Sequence, residues 1–89
     1  MIYDIHRCCT VGIEERNGEK SLVLTVECIS ITHTLSNWTA SQAFEKLLPL
    51  AKLHNCDIQY LVTDASPELK THDFISTALN MGLEFMLKE

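Results

Sequence analysis

The chain has 89 residues, of which 46% are apolar and 21% charged, with three glycines and two prolines. This composition is typical of one small globular domain, and it excludes a disordered tail, a collagen-like repeat and a low-complexity linker. The net charge of −5 makes the chain a poor general binder of nucleic acid or of an anionic membrane surface.

The sequence predicts an intracellular protein, cytoplasmic or, in a eukaryote, nuclear. No apolar run approaches the roughly 20 residues that span a bilayer. The N-terminus lacks a basic segment followed by a long apolar stretch, which excludes a signal peptide there. Cys8, Cys9, Cys28 and Cys56 contain no CxxC pair. They are therefore predicted to be free thiols in a reducing compartment rather than disulfides or metal ligands.

The first part of the chain predicts three antiparallel strands. Residues 2–13 form the first, and Asn17-Gly18 favours a tight hairpin because both residues tolerate positive φ. Residues 21–29 alternate between apolar and mixed positions, a pattern typical of a second strand that is fully covered on one face. Residues 31–35 follow closely enough to form the third.

The first helix is predicted to begin at Thr39, a candidate N-cap with Gln42 three residues on as its capping-box partner. Apolar residues at helical spacing follow, and the helix is predicted to end near residues 54–55. Pro49 lies inside it and removes one backbone hydrogen bond. A kink or a break is therefore expected at this proline.

The remaining residues predict a strand, a helix and a strand. Residues 57–63 have the composition of a buried strand. The second helix covers about 68–81; it starts either at Pro67 or, later, at a cap on Thr71, and Gly82 ends it. Residues 83–87 form the last short strand.

Residues 1–89 are therefore predicted to be one α/β domain with the element order β-β-β-α-β-α-β. Right-handed crossovers make the last two strands extend the sheet in parallel. The expected architecture is a mixed five-stranded sheet with helices on at least one face. If the strand that ends at Asp64 lies beside the first strand, the two carboxyl-bearing segments described next come close together.

Two aspartates are candidates for chemistry. Asp64 lies where a buried strand ends, the edge at which open α/β sheets bind ligands. Asp4 lies inside the first predicted strand, where a carboxylate is unusual. Together they could hold Mg²⁺ through oxygen ligands. In the alternative interpretation, Asp64 begins a turn before Ser66-Pro67 and Asp4 occupies an exposed edge.

The chain resembles the front part of the ribonuclease-H-like catalytic core of retroviral-type integrases and related DDE transposases. Three stretches carry the resemblance: Ile2-Tyr3-Asp4-Ile5, residues 18–26 (GEKSLVLTV), and residues 60–69 (YLVTDASPEL) with Phe74 and residues 82–85 (GLEF) after them. The resemblance implies a truncated ribonuclease-H-like fold. Together with the crossover order, it predicts that the strand carrying Asp64 lies beside the strand carrying Asp4 and runs parallel to it. It also implies a metal-dependent polynucleotidyl transferase of DNA recombination, with Asp4 and Asp64 as catalytic residues and Mg²⁺ ligands.

The resemblance also implies a third acidic residue, which would fall beyond Glu89. Two-metal catalysis needs carboxylates around both metals. Glu68 and Glu84 are candidate substitutes, but neither lies at the family's position. The expectation is therefore an integrase- or transposase-core-like domain that is catalytically incomplete on its own, which leaves open whether it is an enzyme.

Two other functions remain open. One is a non-catalytic protein-binding module, such as a phage-type inhibitor or an adaptor, with Trp38 as a candidate partner contact. The other is a homodimerising domain, in which a second copy covers an edge strand or apolar sheet surface near Val23, Ile29, Phe85 and Leu87. The expected partner is thus a second copy or another protein, with nucleic acid bound only weakly.

Overall fold

The computed structural model describes residues 7–86. The elements in chain order are β1 (Cys8–Arg16), β2 (Glu19–Val26), β3 (Ile29–Thr34), α1 (Ala40–His54), β4 (Tyr60–Thr63), α2 (His72–Asn80) and β5 (Glu84–Met86). The strands form one sheet in the spatial order β3-β2-β1-β4-β5. The β1-β2-β3 meander is antiparallel, and β1, β4 and β5 are mutually parallel. The predicted fold class is confirmed, as is the parallel pairing of the first and fourth strands.

The β1–β2 hairpin turns at Asn17 and Gly18, as predicted. Their φ angles are 52° and 80°, the left-handed values that a two-residue turn of this kind requires. The turn pairs Arg16 with Glu19. Because the ladder runs all the way to the turn, β1 continues three residues past its predicted end. Residues 2–6 of the predicted first strand, Asp4 among them, lie outside the described residues.

The second hairpin corrects the predicted bounds of the next two strands. Glu27 and Cys28 form a turn between β2 and β3, whereas the prediction placed residues 21–29 in one strand. Glu27 adopts a φ of 55° there. The sequence carries no glycine, asparagine or proline at this turn, so local composition gave no signal for it.

The helix α1 is continuous through Pro49, so of the two expected outcomes, a kink or a break, the break is wrong. Its capping box is present as predicted: Thr39 Oγ1 accepts from Gln42 N–H at 3.1 Å, and Gln42 Oε1 accepts from Thr39 N–H at 3.0 Å. Pro49 lies on the exposed side of the helix, where water can bond the carbonyl that the proline leaves without a donor.

The helix α2 begins at the later of its two predicted starts. Thr71 caps it by accepting from Phe74 N–H, and a separate 3₁₀ turn covers Pro67–Leu69. Gly82 follows the helix with a φ of 87°, as predicted for a C-terminal stop. Among the described residues, no helix is long and apolar enough to cross a membrane.

The core lies between the helices and one face of the sheet. Its largest fully buried side chains are those of Phe44, Phe74, Leu22, Leu24, Leu48 and Leu61. Phe85 packs edge-to-face on Phe74 at 6.5 Å between ring centroids. Phe85 is therefore partly covered by α2, whereas the sequence predicted that a second copy would cover it. Leu87 lies outside the described residues.

Candidate functional site at the end of β4

Asp64 follows the last residue of β4, at the edge where the sequence predicted a site. Its N–H donates to the Val11 carbonyl at 3.1 Å, which extends the β1–β4 ladder by one residue. Its Oδ2 accepts from Ile13 N–H at 3.1 Å, and its Oδ1 accepts from Ser66 N–H at 2.9 Å. Asp64 therefore ties β4 to β1 and also begins the turn toward Pro67.

Gly12 is the β1 residue that faces the Asp64 carboxylate. A Cβ atom built on Gly12 would lie 2.8 Å from Asp64 Oδ2, closer than such contacts occur. Glycine is therefore the residue that lets the carboxylate reach the Ile13 N–H. The sequence interpretation missed this contact, although a glycine inside a predicted strand is the usual signal for close approach of another group.

Asp64 is bound by backbone N–H groups of β1 and of the turn that follows β4. The β1 strand contributes a glycine and a backbone N–H at this point, and both Asp64 oxygens already accept hydrogen bonds. Within residues 7–86, no three His, Cys, Asp or Glu side chains are grouped to hold a metal ion. Asp4 is not among these residues, so its pairing with Asp64 stays a prediction.

The two glutamates considered as substitute acids lie in different places. Glu84 opens β5 and pairs with Tyr60, at the opposite end of β4 from Asp64. Glu68 lies on the Asp64 side and is bound by Lys20, with 2.8 Å between Nζ and Oε2. The Lys20 hydrogen bond lowers the pKa of Glu68, and the Asp64 charge acts in the opposite direction. Glu68 thus stays ionised beside Asp64, with Lys20 as its counter-ion.

A groove of about 420 Å³ lies beside this ion pair, between the first turns of α1 and α2. Trp38, the candidate partner contact, lines it together with Leu35 and the Lys20–Glu68 pair. The Trp38 side chain is 36% exposed and packs edge-on against the His33 ring at 4.5 Å. The tryptophan therefore contacts the His33 ring, lines the groove and stays partly exposed.

Comparisons with known proteins identify the fold. No family model matches the chain, and no curated protein matches it in sequence. Among the matching solved structures is the catalytic core domain of BIV integrase, with a TM-score of 0.68 and 14% identity. The fold is ribonuclease-H-like. The match covers 93% of this chain and 55% of the integrase chain, so this chain spans about half the length of that structure. The resemblance to an integrase core is confirmed at the level of the fold.

Proposed function

We propose that this chain is an integrase-core-like domain that is catalytically incomplete on its own. One observation carries the proposal: the β1 position that touches Asp64 is occupied by Gly12 rather than by an acid. Two-metal phosphoryl transfer needs carboxylates that hold the metals against both the attacking and the leaving oxygen. In this chain the two oxygens of Asp64 accept hydrogen bonds from the backbone N–H groups of Ile13 and Ser66, which stabilises the fold.

A cleavage assay tests this proposal. Duplex and single-stranded DNA are incubated with the purified chain in Mg²⁺ and, separately, in Mn²⁺. We expect no cleavage or strand transfer above the level of the Asp64→Asn variant, which replaces one carboxylate oxygen with an amide. Metal-dependent cleavage that Asp64→Asn abolishes would instead show that another acid, such as Asp4 or Glu68, completes the site.

The second candidate function is that of a non-catalytic protein-binding module. The groove beside Trp38 favours it, because a fixed and partly exposed tryptophan is the kind of side chain that dominates binding energy at protein interfaces. Such a module would work with the ribonuclease-H-like fold as a scaffold and would need no metal.

The fluorescence of Trp38, the only tryptophan in the chain, tests the module directly. If a protein covers the groove, its emission shifts to shorter wavelength and acrylamide quenches it less. The probe is the chain itself, titrated from 1 to 200 µM, with Leu53→Ala as a control for exposed apolar surface elsewhere. Emission that stays constant over this range would exclude a second copy as the protein that covers Trp38.

A further inference from the structure

The outer edge of β3 is an open pairing edge. In the described part of the chain, β3 has β2 on one side and no strand on the other. The strand reads Ile-Ser-Ile-Thr-His-Thr, without a charged residue, a proline or a glycine. Exposed edge strands usually carry lysine, proline or a bulge, which prevent pairing with other chains. The sheet's other edge, β5, is described over only three residues and begins with Glu84.

The register shows which residues offer their backbone outward. Leu35 N–H donates to the Lys20 carbonyl, and bonded pairs alternate along an antiparallel ladder. Ile29, Ile31 and His33 therefore bond to β2. Ser30, Thr32 and Thr34 point their N–H and C=O groups away from the sheet, and all three residues are exposed. The Thr34 carbonyl lies 2.8 Å from His33 Nδ1, and its second lone pair is the one that a partner strand would use.

We infer that β3 pairs with β3 of a second copy about a two-fold axis, with Thr32 opposite Thr32 of that copy. Only this alignment pairs all three outward-facing residues, because Ser30 then lies opposite Thr34 of the other chain. The hydroxyl side chains of these residues stack across the junction, and Thr–Thr and Thr–Ser pairs are favourable cross-strand neighbours. The result is one continuous ten-stranded sheet, consisting of the five strands of each copy.

We choose a second copy as the partner because β3 carries no charged residue and can pair with an identical strand. A charged peptide would find no opposite charge along β3, whereas an identical strand matches it residue for residue. The inference rests on the second candidate function, for which it names a second copy as the partner and adds the β3 edge as a contact surface besides the groove at Trp38. It does not depend on the Gly12–Asp64 contact, so the cleavage assay and the measurement below can fail separately.

The test is sedimentation velocity of the full chain from 5 to 200 µM. We expect a concentration-dependent dimer of the wild type. Thr32→Lys should weaken association at least about tenfold, because it places two like charges opposite each other. The matched control is Thr10→Lys, the same change at an exposed threonine on the same face of the sheet but on the interior strand β1. This control should dimerise like the wild type.

A charge-swap mixture tests the register. Thr32→Lys and Thr32→Glu should each be monomeric, and an equimolar mixture should form a heterodimer, because residue 32 meets its own counterpart. The inference is overturned if the wild type is monomeric at 200 µM, if Thr32→Lys and Thr10→Lys associate equally, or if the mixture stays monomeric. Circular dichroism of each variant shows whether it is folded before it is scored.

Discussion

At the scale of single residues, the Gly12–Asp64 contact decides how the candidate site is interpreted. The carboxylate lies at a strand end, where a catalytic acid would lie, and its two oxygens accept hydrogen bonds from the backbone N–H groups of Ile13 and Ser66. The glycine opposite it leaves the space that the carboxylate needs to reach the Ile13 N–H. The residue opposite Asp64 on β1 thus determines whether an aspartate at this position can share a metal ion with a second acid or forms a hydrogen bond that connects β4 to β1.

Gly12→Ala should destabilise the chain by about 1–3 kcal/mol, because the added methyl displaces Asp64 from the Ile13 N–H. In an Asp64→Ala background the methyl meets no carboxylate, so the same change should cost much less. Urea unfolding of the four proteins in this double-mutant cycle measures the coupling. Equal costs of Gly12→Ala in both backgrounds would show that the contact does not hold the strands together.

Cys9 gives a pH prediction. Burial, followed by the charge of Cys8, raises the pKa of the Cys9 thiol from 9.0 to about 12. Above pH 9 the unfolded chain loses this proton while the folded chain keeps it, so the free energy of unfolding should fall between pH 9 and pH 12. Cys9→Val, which has no proton to lose, should show a flatter profile. Parallel profiles for the two proteins would contradict the prediction.

At the scale of elements, local signals agree with the fold wherever a cap or a turn residue is present. The capping box at Thr39, the cap at Thr71 and the stop at Gly82 all lie where the sequence placed them. The helix α1 departs from its local signal, because it passes through Pro49 without a break. Burial of one helix face on the sheet outweighs the hydrogen bond that is lost on the solvent side.

Pro49→Ala should therefore stabilise the chain by about 1–2 kcal/mol. The change restores one backbone donor inside α1, and the stiffness that proline gave the unfolded chain offsets part of the gain. Leu50→Ala is the control, because Leu50 is next in sequence and half exposed, and its stability should change by less than about 0.5 kcal/mol. Thermal unfolding measures the stability of both variants. If Pro49→Ala is less stable than the wild type, the proline fits the helix better than alanine does.

At the scale of the whole molecule, the charge and the β3 edge bear on the partners that we propose. The net charge is −5, and the basic residues Arg16 and Lys20 are paired with glutamates. In the part of the chain that the structure describes, one face of the sheet is covered and β3 has a strand on one side only. These features favour association with protein through backbone hydrogen bonds over association with phosphates.

Binding to duplex DNA at physiological salt should be no tighter than about 10⁻⁴ M, the weak end of non-specific affinities. Fluorescence anisotropy of a labelled 30-base-pair duplex measures it, and the titration is repeated at 50 mM salt, where any electrostatic contribution increases. A micromolar dissociation constant with a steep salt dependence would contradict this expectation and would revive a nucleic-acid function.

The melting temperature of the wild type should rise with protein concentration, because a second copy binds the folded chain and not the unfolded one. The melting temperature of Thr32→Lys should be independent of concentration over the same range. Differential scanning calorimetry between 10 and 500 µM measures both. A wild-type melting temperature that is constant over this range would rule out stabilisation by a second copy.

The sequence by itself determined the element order, the parallel pairing of the first and fourth strands, and the position of Asp64 at a strand end. The element order and the position of Asp64 follow from short-range features, namely hydrophobic periodicity and capping residues. The strand pairing was predicted from the handedness of crossovers together with the resemblance to integrase cores. Only the tertiary structure decided that Gly12 faces Asp64, that Lys20 binds Glu68 and that the outward backbone of β3 is centred on Thr32. Such contacts join residues far apart in the chain, and a one-residue change in register would replace every one of them.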